Sequence, residues 1–213
     1  MKSKIDFTLQ FQRFIENFEF NKFESHSKMA PLPNRLLELA PKNVKKAGVV
    51  ILLYECSGEL VFPLIKRTST NKNDPHAGQI SLPGGRYDIA DGSLLNTALR
   101  ETEEEIGIRL RKKHVIASLS SLYIPVSQNE VHPFIAFIDE IPQFKNQPSE
   151  VESIIQISLN NLLEPRHSVR KVLNTSYAQN IEVPGFEIES HWIWGATAMI
   201  LQEFLDIYKK FLN

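Results

Sequence analysis

Phe7, Phe11, Phe14, Ile15 and Phe18 recur at helical spacing, which predicts an amphipathic helix over residues 4–19. The stretch 20–46 is polar and carries Pro31, Pro33 and Pro41, with Leu36, Leu37 and Leu39 predicting one short helical turn. At Ala47 the pattern changes to a continuous apolar run through Tyr54. A turn containing Gly58 and a second apolar run over 60–65 then complete a predicted β-hairpin. A polar segment, 66–79, leads into Ile80-Ser81-Leu82-Pro83-Gly84-Gly85, and a helix is predicted over 94–106. Further strands are predicted at 115–124, 130–138 and 153–159. Leu201, Phe204, Leu205, Tyr208, Phe211 and Leu212 mark a C-terminal helix. Strands and helices mix without regular βαβ alternation, which favours an α+β or mixed-sheet sandwich. The division expected is an N-terminal helical extension over 1–45 and a main domain over 46–213. The extension is free to close its own domain or to pack on a partner chain.

Composition narrows the function classes. The 213 residues are 42% hydrophobic and 23% charged, as in an ordinary globular protein. A formal net charge of −1 supplies no broad field for nucleic acid or an anionic membrane, so any phosphate binding must be local. The single cysteine, Cys56, excludes an intramolecular disulfide and cannot alone build a thiolate metal site. The N-terminus begins basic but lacks the apolar stretch of a secretory signal, and the 47–54 run is too short to span a bilayer. A soluble cytoplasmic protein is expected.

The run from Arg100 to Ile108 carries the chemistry. At about 100° per residue, Glu101, Glu104 and Glu105 fall within roughly 100° of one another on a helix. Leu95, Leu99, Thr102 and Ile106 gather opposite, so the helix is expected to rest on a core with its acidic side outward. Like charges at these spacings repel. A solvated acidic face is one reading, and a site for a hard divalent cation such as Mg²⁺ or Mn²⁺ is the other. Paired glycines before the helix let the backbone approach a ligand, and Gly107 is placed to end the helix in a left-handed conformation.

The series Gly85, Asp91, Arg100-Glu101, Glu104-Glu105 and Gly107 resembles the Nudix box, the loop-helix-loop signature of hydrolases acting on nucleoside diphosphates linked to another group. Asp91 replaces the usual Glu of the general pattern, and one extra residue precedes Arg100. The coenzyme A diphosphatase subfamily shares both features. Upstream, Lys66-Arg67-Thr68-Ser69 and His76-Ala77-Gly78-Gln79-Ile80-Ser81-Leu82-Pro83-Gly84-Gly85 resemble that subfamily's signature. Leu82 stands there for the usual Phe, and a second Arg is missing around Asn71-Lys72-Asn73-Asp74. Segments 122–127, 131–134 and 191–198 extend the similarity, so that it covers roughly residues 45 to 205.

The resemblance implies a Nudix fold of class α+β, a mixed β-sheet sandwiched between helices with an added N-terminal helix, and a diphosphatase using Mg²⁺ or Mn²⁺. Glu101, Glu104 and Glu105, with the Gly85 carbonyl, are the implied metal ligands. Arg100 orients a box carboxylate, while Asp91 either caps the helix or supports the metal shell. The general base is a box glutamate or an acidic residue of a later loop, Glu150 or Glu152, with Glu150 preferred. Arg67, Lys66, His76 and Ser127 are candidates for substrate contact, and Phe134 and Trp194 are either pocket or core. Coenzyme A or an acyl derivative is the expected substrate. ADP-ribose or dinucleotide hydrolysis and a non-catalytic ligand-binding regulator remain as alternatives. Homodimerisation through the N-terminal helix or the sheet stays open, and no nucleic-acid or membrane partner is expected.

Overall fold

A computed structural model of the chain describes residues 4–69, 77–174 and 179–213. Strand β1 (Lys45–Cys56) turns back through Ser57 and Gly58, at φ 53° and 83°, into β2 (Glu59–Arg67). β3 (Ile80–Ser81) extends the sheet beside β2, and β4 (Gly84–Arg86) pairs antiparallel with β1. β5 (Val115–Ser118) and β6 (Leu122–Ile124) both pair antiparallel with β7 (Asn129–Ile138). β7 runs parallel to β1, from Lys45 opposite Asn129 to Tyr54 opposite Ile138. β8 (Val151–Ser158) pairs antiparallel with β2. The result is the expected mixed sheet.

β1 is apolar without alternation because both of its faces are covered. Val50 and Leu52, with Ala136 of β7, pack on Ala98, Leu99 and Ile106 of helix α3 (Leu94–Ile106). On the other face Ile51, Leu53, Ile135 and Phe137 join Phe204 and Leu205 of the C-terminal helix α5 (Gly195–Leu212). The N-terminal helix α1 (Lys4–Asn17) lies on this second face. Phe11 is fully buried, its ring 5.1 Å from that of Phe211 and 6.2 Å from that of Phe204. The aromatic stripe of α1 is therefore covered by its own chain.

The structure departs from the pattern reading in four places. A helix, α2 (Lys22–Met29), forms within the polar 20–46 stretch, capped by Asn21 and followed by a 3-10 turn over Pro33–Leu37. No apolar stripe announces α2, because polar side chains hold it to α5. His26 Nε2 lies 2.7 Å from Glu203, Lys28 pairs with Asp206 at 2.8 Å, and the Ser25 hydroxyl donates to Asp206. The predicted strand 115–124 is two strands, β5 and β6, that share β7 as partner. A short helix, α4 (Leu159–Leu163), follows β8 directly. A separate three-stranded antiparallel sheet, β9 (Ser168–Leu173), β10 (Ile181–Ile188) and β11 (His191–Trp194), was not foreseen, and it turns Phe186, Ile188 and Ile193 into the core. Among the described residues no helix is long and apolar enough to cross a membrane.

Candidate active site

Helix α3 starts at Ser93, whose hydroxyl accepts from the Asn96 N–H at 3.2 Å, and ends at Gly107 with φ 74°. Asp91 is thus not the cap of α3. It sits in the preceding 3-10 turn and grips Arg100 with both oxygens, accepting from Nε at 2.8 Å and Nη2 at 3.0 Å. Thr97 donates to the same carboxylate at 2.7 Å and the Asp88 N–H at 3.2 Å. The Arg100 bonds, helped by Thr97 and Asp88, hold the Asp91 carboxyl well below the usual carboxylate range despite its burial. The guanidinium is raised in turn by Asp91. With that fork held, Arg100 Nη1 reaches Glu101 and Glu104, each at 2.9 Å.

The acidic side of α3 does not simply face water. Glu105 is 1% exposed, tucked under β4, where its Oε2 accepts from the Gly84 N–H at 2.8 Å. The Arg67 guanidinium at the end of β2 lies 3.6 Å from its other oxygen. Burial pushes the Glu105 carboxyl up to about 8; Gly84 and Arg67 pull it down, while Glu101 and Glu150 add repulsion. Glu101 is likewise raised, first by burial and then by Glu104 and Glu150, against the pull of Arg100. Glu104 is mostly exposed and rests on Arg100.

Gly85 leaves room for the Glu101 carboxylate. A Cβ there would collide with the carboxylate of Glu101, so the loop backbone and the acid meet only because the side chain is absent. Gly84, Gly85, Arg67, Glu101, Glu105 and Glu150 all line one cavity of about 1440 Å³. Glu104 and Arg100 are not in its lining. Lys66 borders the same cavity while paired to Glu152, and Ser127 borders it from the turn after β6. His76 lies outside the described residues.

Among the described residues no three His, Cys, Asp or Glu side chains converge into a ready-made metal cage. The donor set nevertheless fits a hard divalent cation. Buried Glu105, Glu101 against the Gly85 backbone and Glu150 across the cavity repel one another, and oxygen ligands of this kind suit such an ion. Glu150 is exposed at the head of β8, where its carbonyl accepts from the Thr68 N–H at 2.9 Å. Phe134 packs in the core beside α3. Trp194 borders the cavity, its indole stacked on that of Trp192 with centroids 5.5 Å apart.

Sequence reasoning did not single out Ser81 and Asn129, which also line the cavity. Each holds a buried side-chain oxygen without a hydrogen-bond partner among the described residues, as does Ser127. Ser81 lay within the segment already matched upstream, so its position was legible. For Asn129 no local pattern existed, since β6 and β7 place it only by pairing.

The family profile of the NUDIX domain matches residues 44–174. A Nudix hydrolase called NudL from Photorhabdus laumondii, itself uncharacterised, is 30% identical over 183 residues, covering 86% of this chain and 92% of its own. The mitochondrial coenzyme A diphosphatase NUDT8 of Homo sapiens is 28% identical over 166 residues, covering 76% of this chain and 70% of its own. Among solved structures, a MutT/nudix family protein from Enterococcus faecalis aligns with 100% of this chain and 75% of its own, with a TM-score of 0.55 at 15% identity. The NUDIX domain of Shewanella oneidensis NrtR, solved with ADP ribose, has a TM-score of 0.53 at 16% identity over 84% of this chain and 97% of its own. These two likenesses establish a common fold.

Proposed function

The chain belongs to the Nudix family and is a Nudix hydrolase, and on that premise we propose that it cleaves the diphosphate linkage of coenzyme A or an acyl derivative. The products are 3′,5′-ADP and 4′-phosphopantetheine or its acyl form. One observation carries the diphosphatase reading: Glu101, Glu105 and Glu150 share a cavity with Arg67 beneath the Gly84–Gly85 backbone. The coenzyme A part is supported by the 28% identity to a coenzyme A diphosphatase and by the segment from Lys66 to Gly85.

Mg²⁺ or Mn²⁺ is the proposed cofactor; Glu101 and Glu105 with the Gly85 carbonyl would hold it from the cavity lining, and Glu104 would join them from just outside that lining. When bound, it supplies Lewis acidity at a phosphoryl oxygen and neutralises charge there. For Glu104 this role means exchanging its ion pair with Arg100. The remaining work falls to the chain. Arg100, clamped by Asp91, fixes Glu101. Arg67 presents a planar fork that suits phosphate oxygens and offsets charge on the departing phosphate. Glu150 takes the proton of the attacking water as its oxygen bonds to phosphorus and the bridging P–O bond breaks. Lys66, His76 and Ser127 are assigned to substrate contact.

The test is incubation of purified protein and Mn²⁺ with coenzyme A, ADP-ribose and dinucleotides, with chromatography of the products. Release of 3′,5′-ADP from coenzyme A is expected. Rapid ADP-ribose cleavage with no coenzyme A turnover overturns the substrate assignment.

A further inference from the structure

The cavity that holds the acidic centre is not walled by the Nudix-matched segment alone. Ala30, Pro31, Leu32 and Leu36, from the end of α2 and the 3-10 turn after it, line it together with Met199 and Ile200 of α5. All six are apolar. They form a face of different character from the one bearing Arg67, Glu101, Glu105 and Glu150.

The two faces are physically continuous. Arg67 N–H donates to the Gln79 carbonyl at 3.0 Å, and β2 pairs Lys66 with Ile80. The Thr197 hydroxyl at the start of α5 donates to the Ile80 carbonyl at 3.3 Å. Two and three residues on, Met199 and Ile200 border the same cavity as the N-terminal segment. About 1440 Å³ exceeds the roughly 300–1,000 Å³ of an ordinary small-molecule pocket, so the space accepts more than the reacting diphosphate and its nucleoside.

The apolar wall is also held in place. Glu203 accepts from the Ser120 N–H at 2.9 Å and meets His26 at 2.7 Å, both side chains nearly fully buried. Ser25 and Lys28 bond Asp206 one turn further along α5. Met29 and Ala30, 3% and 5% exposed, are packed into the core directly after this polar latch. Leu32 and Leu36 are only half-buried, which leaves apolar surface at the cavity.

We propose that the N-terminal segment Ala30–Leu36 is a specificity wall of the active-site cavity. Leu32 and Leu36, half-buried at the cavity and backed by Met199 and Ile200 at 7% and 2% exposure, select diphosphates whose second substituent carries an apolar arm. The inference rests on the diphosphatase reading of the cavity but not on coenzyme A as the substrate. Its occupant is the alkyl or acyl portion of the bound molecule. The extension thereby becomes part of the site.

Calorimetry with the full chain and two non-hydrolysable α,β-methylene-ADP esters, methyl and octyl, tests this apart from turnover. Each buried methylene strengthens binding by about fourfold, so burial of two or three gives the octyl ester an advantage of at least about tenfold. Leu32→Ser with Leu36→Ser should cut that advantage below about threefold and leave methyl-ester binding within about twofold. Should the double variant bind neither ester, Leu32→Phe decides: it fills the wall without adding polarity and should weaken the octyl ester selectively. Equal binding of the two esters by the wild type, or binding of neither, overturns the proposal, as does an octyl preference retained in the variants. A protein that cleaves ADP-ribose but not coenzyme A, yet keeps a wall-dependent octyl preference, loses the coenzyme A assignment and retains this one.

Discussion

Asp91→Asn isolates the clamp that aims Arg100. The carboxylate is 6% exposed and accepts two bonds from the guanidinium, one from Thr97 and one from the Asp88 N–H. Asparagine keeps the shape but offers one acceptor oxygen, and its amide turns N–H groups toward donors that need an acceptor. A hydrogen bond to a charged group contributes about 1.5–3 kcal/mol. Breaking a fully buried pair costs about 3–5 kcal/mol. Arg100 is 35% exposed and still pairs with Glu101 and Glu104, so solvent and those partners reduce the upper figure. A loss of about 2–3 kcal/mol follows, or about 4–12 °C in Tm for a chain of this size. Because an unclamped Arg100 keeps its pair with Glu101 but no longer fixes that carboxylate in one position, turnover should fall about 10–100-fold. Urea unfolding at pH 7 and steady-state turnover at saturating Mn²⁺ measure both effects. Stability within about 0.5 kcal/mol of wild type would refute the clamp. Lost stability with unchanged kcat would refute its link to Glu101.

Gly85→Ala should lower kcat by about 100-fold while the chain stays folded, since the new methyl displaces the Glu101 carboxylate; near-normal turnover in a protein with wild-type circular dichroism would contradict this. Phe11→Ala should cost about 3–5 kcal/mol in chemical denaturation, because a fully buried ring ringed by Phe7, Phe204, Tyr208 and Phe211 leaves a cavity that rigid aromatics cannot close. Glu203→Gln addresses pH. Burial opposes the Glu203 carboxylate, but the bonds from His26 and Ser120 outweigh it and lower its pKa below the unfolded value. A depressed acid contributes its stability above the unfolded pKa of about 4.3 and loses it as pH falls through the folded one. The wild-type advantage over Glu203→Gln should therefore be full at pH 7 and shrink below about pH 4. An advantage that grows with acidification would reverse the assignment.

The hairpin, the acidic helix and the aromatic terminal helices could be read directly, because each is set by a periodicity within one segment. Glycine at 107, where only a left-handed residue closes the helix, belongs to the same class. Short elements whose stability comes from distant partners could not be read this way. α2 has no apolar stripe and is held by Glu203 and Asp206 far along the chain, and β9–β11 alternate too weakly to stand out before they pair with one another.

The site divides along the same line. Spacing along one helix sufficed to put Glu101, Glu104 and Glu105 within one arc, since helical geometry is local. Their separate fates came from neighbours in space. Gly84 and Arg67 draw Glu105 into the interior, Asp91 locks Arg100, and Arg100 keeps Glu104 at the surface. Leu32 and Leu36 looked like part of a linker, yet the α2–α5 latch brings them to the cavity. Local order is written in periodicity and turn chemistry. Burial, charge pairing and the shape of a cavity arise only when segments remote in sequence exclude water from the same place.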